Sequence, residues 1–95
     1  MTGKQRAYLR GLANTMDPIL HVGKDGVSDN VIRQADDALE ARELFKGAVL
    51  QNSPVTAREA ADEICEAIGA QPVQCIGNRF VIYRAKKKDP KIVLP

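Results

Sequence analysis

A chain of 95 residues with 44% hydrophobic and 27% charged side chains can build one domain with a modest core, and this composition excludes a disordered polymer. No apolar run reaches the length of a membrane span, and Met1-Thr2-Gly3-Lys4-Gln5-Arg6 leads into an amphipathic pattern instead of a signal-peptide core, so a cytoplasmic protein without membrane contact is expected. The net charge of +2 is unevenly spread: residues 1–27 carry +2, residues 28–71 carry −5 and residues 72–95 carry +5. Basic ends and an acidic middle give a folded domain two faces, of which only the positive one can approach a polyanion.

The first element is a helix. Thr2-Gly3-Lys4-Gln5 has the form of a capping box, and Tyr8, Leu9, Leu12, Ala13 and Met16 form one apolar stripe up to the stop at Asp17-Pro18. Arg6 and Arg10 lie one turn apart beside it. A short strand follows over Ile19 to Val22, then a glycine loop, then a helix capped by Ser28 with Val31, Ile32, Ala35, Ala38 and Leu39 inward and Asp36, Asp37 and Glu40 toward water. Leu44 to Leu50 reads as the second strand. Ser53-Pro54 and Thr56-Ala57-Arg58-Glu59 open a third helix, with Ala57, Ala60, Ala61, Ile64, Cys65 and Ile68 at helical spacing before Gly69. Val73 to Ile76 and Phe80 to Arg84 flank Gly77-Asn78-Arg79, a hairpin signal. The order α-β-α-β-α-β-β predicts a single α/β domain over residues 1–95, a two-layer sandwich with one mixed four-stranded sheet.

The glycine loop is the segment with the clearest chemistry. In Val22-Gly23-Lys24-Asp25-Gly26-Val27-Ser28, glycines at both ends allow a tight turn and close approach of the backbone to a ligand, and the following helix directs unpaired N–H groups to the same place. Such a loop suits a phosphate. It is not a nucleotide-hydrolysing loop, because the longer glycine spacing ending in Lys-Ser/Thr is missing.

Several ordered segments resemble the YhbY-like RNA-binding proteins, the free-standing form of the CRM domain. They are Leu9-Arg10-Gly11-Leu12-Ala13, Val22 to Ser28 with Asn30-Val31, Glu43-Leu44-Phe45-Lys46, Val73-Gln74-Cys75-Ile76-Gly77, Ile82-Tyr83-Arg84 and Ile92-Val93-Leu94-Pro95. The resemblance implies a fold like the C-terminal domain of translation initiation factor three, RNA binding, and association with the large-subunit precursor ribosomal RNA. It also implies RNA contact through Gly23, Lys24 and Gly26. Two segments depart from the family pattern: Gly47-Ala48 stands where relatives often have a branched residue and a lysine, and Asp25 puts a carboxylate in the loop.

Lys4, Arg6, Arg10, Lys46, Arg79, Arg84, Lys86, Lys87 and Lys88 are candidates to extend the phosphate-binding surface. Arg33, Arg42 and Arg58 stand among acids on the middle helices and read as solvated charges. Tyr8, Phe45, Phe80 and Tyr83 are expected in the core, so base stacking on aromatic rings should be limited. Cys65 and Cys75 read as buried reduced thiols. No cofactor, metal or catalysis is expected: His21 is the lone histidine, and a site from His21, Cys65 and Cys75 would need three distant segments to converge. The expected protein is a monomeric RNA-binding ribosome-assembly factor; the alternative is an adaptor that binds a protein through its acidic helices.

Overall fold

The computed structural model describes residues 1–95, and its elements follow the expected order: α1 (Gly3–Ala13), β1 (Pro18–Val22), α2 (Asp29–Arg42), β2 (Leu44–Val49), α3 (Ala57–Ile68), β3 (Gln71–Ile76) and β4 (Arg79–Tyr83). Each helix begins where a side-chain oxygen meets an orphan amide. Thr2 with Gln5 and Thr56 with Glu59 form reciprocal capping boxes, and Ser28 Oγ accepts from Val31 N at 3.3 Å. Helix α3 ends on Gly69 in the left-handed region. Helix α1 stops at Ala13, short of the full apolar stripe, because Asn14 and Thr15 favour turns ahead of Asp17-Pro18.

The sheet order is β1-β2-β4-β3, with β1 parallel to β2 and the other pairs antiparallel. Helix α2 is the crossover that a parallel neighbour requires, and the Gly77-Asn78 turn joins β3 to β4. Pro18 is tolerated because it opens an edge strand, where pairing is irregular between Pro18 and Leu20.

The mixed four-stranded sheet is as expected, but it carries helices on both faces, so α1 adds a third layer to the expected two. Leu20, Val22, Phe45, Val49, Phe80 and Ile82 meet α2 and α3 in the larger core, while Leu44, Val73, Val81 and Tyr83 meet Leu9 and Ala13 of α1 in the smaller one. Met16, Ile92 and Leu94 complete the smaller core, so the C-terminal segment is part of the packed structure. The alternation of β2 follows from the pleat: Phe45 and Val49 face α2 and α3, and Leu44 and Lys46 face the side of α1. Phe45, Phe80 and Tyr83 are buried as expected; Tyr8 is not, being 43% exposed on the outer side of α1. The stripe on α1 is wider than the surface it covers, and only Leu9 and Ala13 are fully enclosed.

Gly47 has a packing role that explains its departure from the family pattern. It lies opposite Phe80 in the β2–β4 register, and a Cβ there would run into the Phe80 ring. The cost of a glycine inside a strand is offset by burying the Phe80 ring in the space that a side chain would fill.

Candidate nucleic-acid interface

The glycine loop is tied down at its root and open at its tip. Val22 O accepts Leu50 N at 2.8 Å, Gly26 N donates to Gly23 O at 3.0 Å to close the turn, and Ser28 N donates to Gly26 O at 3.1 Å. Gly26 has φ of +63°, and a Cβ there would sit 3.2 Å from Pro54 Cγ, so the loop rests against the β2–α3 connection. Gly23 has more room, with Leu50 Cδ1 3.7 Å from its would-be Cβ. Lys24 and Asp25 project at the tip, both exposed. None of the main-chain hydrogen bonds outside the helices and strands uses the amides of Lys24, Asp25 or Val27. A cation, open amides and the start of α2 thus meet at one corner, together with the exposed carboxylates of Asp25 and Asp29.

Next to that corner, the sheet places basic side chains on the face of α1. His21, Ala48, Arg79 and Ile76 form one register row across all four strands, and Pro18, Lys46, Val81 and Gln74 form the next. Lys46 and Arg79 line a hollow of about 180 Å³ with Asn14, Gln74, Ile76 and Val81. Arg6 stands at the β3 edge with Arg58, bordering a second hollow of about 260 Å³. Arg58 was expected to be one more charge among acids, and it remains exposed, but the fold sets it beside Arg6. Lys4 and Arg10 are exposed on α1.

Arg84 is a correction to the expected surface. Its guanidinium contacts Asp36 Oδ1 at 2.7 Å and Glu40 Oε2 at 3.5 Å, and donates to Ile68 O at 3.0 Å and Asp36 O at 3.3 Å. With its side chain only 16% exposed, Arg84 joins α2 to the end of α3 and has its donors committed within the protein. Strand alternation causes this: Tyr83 faces α1, so Arg84 faces the acidic helices. Lys87 follows it to that side, bordering a groove with Asp29, Arg33, Asp36 and Gly69. Lys87 therefore does not form one block with Lys46 and Arg79.

The residue that the sequence reading missed is Glu43. It is 1% exposed, sits in the left-handed region at φ of 67°, and caps α2 through its N–H to Leu39 O. Its carboxylate accepts Lys86 N at 3.0 Å, Lys91 N at 2.7 Å and Ile92 N at 2.9 Å, and its carbonyl accepts Arg84 N at 2.9 Å. Burial pushes the carboxyl pKa up, but the amides of Lys86, Ile92 and Lys91 and the Lys86 charge outweigh it and hold the pKa below its ordinary value. The one available signal was an acid directly between a helix and an apolar strand, together with an apolar C-terminal run. Tyr83 is raised by burial and by the Glu43 charge. Cys65 is pushed up to about 12, mainly by burial, and Cys75 is raised in the same way while half-buried. These shifts follow from packing and structural hydrogen bonds.

The model of the CRS1 / YhbY (CRM) domain matches residues 1–84. The chain belongs to the CRM domain family. A Bacillus subtilis relative named "Probable RNA-binding protein YqeI" is 45% identical over 95 residues, covering 100% of this chain and 99% of its own. A Haemophilus influenzae relative named "RNA-binding protein" is 32% identical over 100% of this chain and 95% of its own. The solution structure of the Staphylococcus aureus protein SAV1595 is 48% identical, superimposes with a TM-score of 0.82, and covers 100% of this chain and 99% of that one. As a CRM domain, the chain has its matched region ending at the last residue of the expected second hairpin strand, Arg84, and the Glu43-bound segment lies just beyond it.

Proposed function

We infer that this CRM domain binds RNA, and that it does so with the Gly23–Gly26 loop and the basic half of the sheet on the side of α1. Its relatives' names support RNA as the partner. The observation that carries the surface is the separation of charge by the sheet. The acidic side chains Asp36, Asp37, Glu40, Asp62, Glu63 and Glu66 are exposed on α2 and α3, whereas Lys46 and Arg79 lie on the opposite face and Lys24 at its end. Lys24 meets one phosphate and the loop amides another, with Lys46, Arg79, Arg6 and Arg10 extending the contact along the backbone.

Within that reading the protein is a monomeric, cytoplasmic assembly factor for the large ribosomal subunit, and its RNA is the precursor ribosomal RNA, as the family resemblance implies. It carries out no chemical step on the RNA. Burial and structural hydrogen bonds account for the displaced pKa values of Glu43, Cys65, Cys75 and Tyr83, and His21 stands exposed in a register row with Ala48, Arg79 and Ile76.

Cross-linking in cells followed by sequencing of the attached RNA tests this. Enrichment of large-subunit precursor RNA is expected. Absence of any enriched RNA, with retention of a protein partner by the acidic helices, would replace the reading with that of an adaptor.

A further inference from the structure

The hollow on the sheet beside α1 has a character that a phosphate clamp does not require. Helix α1 packs over Leu44, Val73 and Tyr83, while in the row His21, Ala48, Arg79 and Ile76 only Ala48 is buried and the other three are exposed. Ile76 is 65% exposed there, an apolar side chain standing on a sheet face otherwise edged by cations. Val81 forms part of the hollow's lining and is itself 2% exposed. Of the asparagines and glutamines, only Gln5 and Asn78 use their side-chain amides inside the protein, so those of Asn14 and Gln74 are open at this hollow. Both salt bridges belong to Arg84, so Lys46 and Arg79 are unpaired.

We propose that this hollow is a nucleobase subsite that receives one unstacked base of a single-stranded RNA segment whose phosphates are held by the Gly23–Gly26 loop. The proposal rests on the RNA-binding reading and adds what the same surface recognises. The chemistry matches a base on each count. Ile76 offers apolar contact above the closed floor that buried Val81 forms, and the planar guanidinium of Arg79 is a stacking surface in a protein whose aromatic rings are mostly buried. The amides of Asn14 and Gln74 each present a donor and an acceptor to a base edge, and Lys46 meets the attached phosphate. His21 and Arg79 are two strand spacings apart, about 10 Å, so one row links the strand that enters the loop to the rim of the hollow.

A purely electrostatic surface would not distinguish a strand with bases from one without. The test measures the affinity of the full chain for a single-stranded RNA of about ten nucleotides and for the same backbone carrying abasic residues. The base-bearing strand should bind about tenfold more tightly. Gln74→Ala with Ile76→Ser should reduce that preference to about twofold or less while affinity for the abasic strand is kept. Asn14→Ala, at the exposed end of α1, is a second variant that leaves the sheet untouched, and thermal melting checks that each variant folds. If the wild-type chain binds both strands equally, the subsite is wrong while RNA binding stands. If the variants lose both strands alike, these side chains act on the backbone and the subsite is wrong. If neither strand nor any structured RNA binds, the RNA-binding reading fails and the subsite with it.

Discussion

Glu43 Oε1 accepts the main-chain N–H of Lys91 at 2.7 Å, joining the end of α2 to a segment 48 residues further along. The same carboxylate takes the amides of Lys86 and Ile92, so one buried acid holds the C-terminal segment over the smaller core. Glu43→Gln keeps the shape but replaces an ionised acceptor with a neutral amide that brings N–H groups toward N–H groups. It should cost about 2 kcal/mol in urea unfolding and speed proteolysis after residue 85. A variant with unchanged unfolding and cleavage would mean that Ile92 and Leu94 hold the segment by packing alone.

The pH dependence follows from the same group. Because the folded-state pKa of Glu43 is depressed, its contribution to stability is fully present above the ordinary value of 4.5 and is lost as pH falls through the lower folded-state value. The difference in stability between wild type and Glu43→Gln should therefore be constant near neutrality and shrink below pH 4.5. A difference that grows on acidification would reverse the assigned sign.

Gly47 and Phe80 should be energetically coupled. Gly47→Val places a branched side chain where the Phe80 ring lies and should destabilise by about 2–3 kcal/mol. Combined with Phe80→Leu, the loss should fall short of the sum of the single losses by more than about 0.5 kcal/mol. Strict additivity in equilibrium unfolding would show that the ring moves aside at little cost.

The two loop glycines separate stability from binding. Gly26→Ala forces a Cβ into positive φ and toward Pro54, and should cost about 1 kcal/mol of stability. Gly23→Ala meets nothing closer than 3.7 Å, so it should fold normally yet weaken RNA binding by obstructing backbone approach. Lys24→Glu should weaken binding more strongly, with melting unchanged. Normal affinity in both Gly23→Ala and Lys24→Glu would make the loop a simple turn.

Arg84 and Arg79 are predicted to behave oppositely despite similar sequence surroundings. Arg84→Gln should lower stability by about 1 kcal/mol, since its ion pairs are partly solvated, and leave RNA affinity nearly intact. Arg79→Gln should do the reverse. For the wild type, four to six phosphate contacts predict a slope of about −3 to −5 for log affinity against log salt. A flat salt response would exclude a phosphate surface.

Local rules were enough for much of this protein. The caps at Thr2, Ser28 and Thr56, the helix stop at Gly69 and the turn at Gly77-Asn78 were legible because each depends on residues within one turn of chain. The loop Gly23–Gly26 was legible for the same reason. The sheet order and the placement of α1 on the face opposite α2 and α3 were decided by packing between distant segments, and with them the division of the charges. Arg79 and Arg84 look alike in sequence, but the pleat sends Arg84 to Asp36 and leaves Arg79 facing outward. Gly47 departs from the family pattern in sequence, and only the pairing of β2 with β4 supplies the reason, Phe80 across from it. Glu43 carried almost no local signal, because its partners at Lys86, Lys91 and Ile92 reach it only when the chain returns over the sheet, and burial then makes an ordinary carboxylate an anchor.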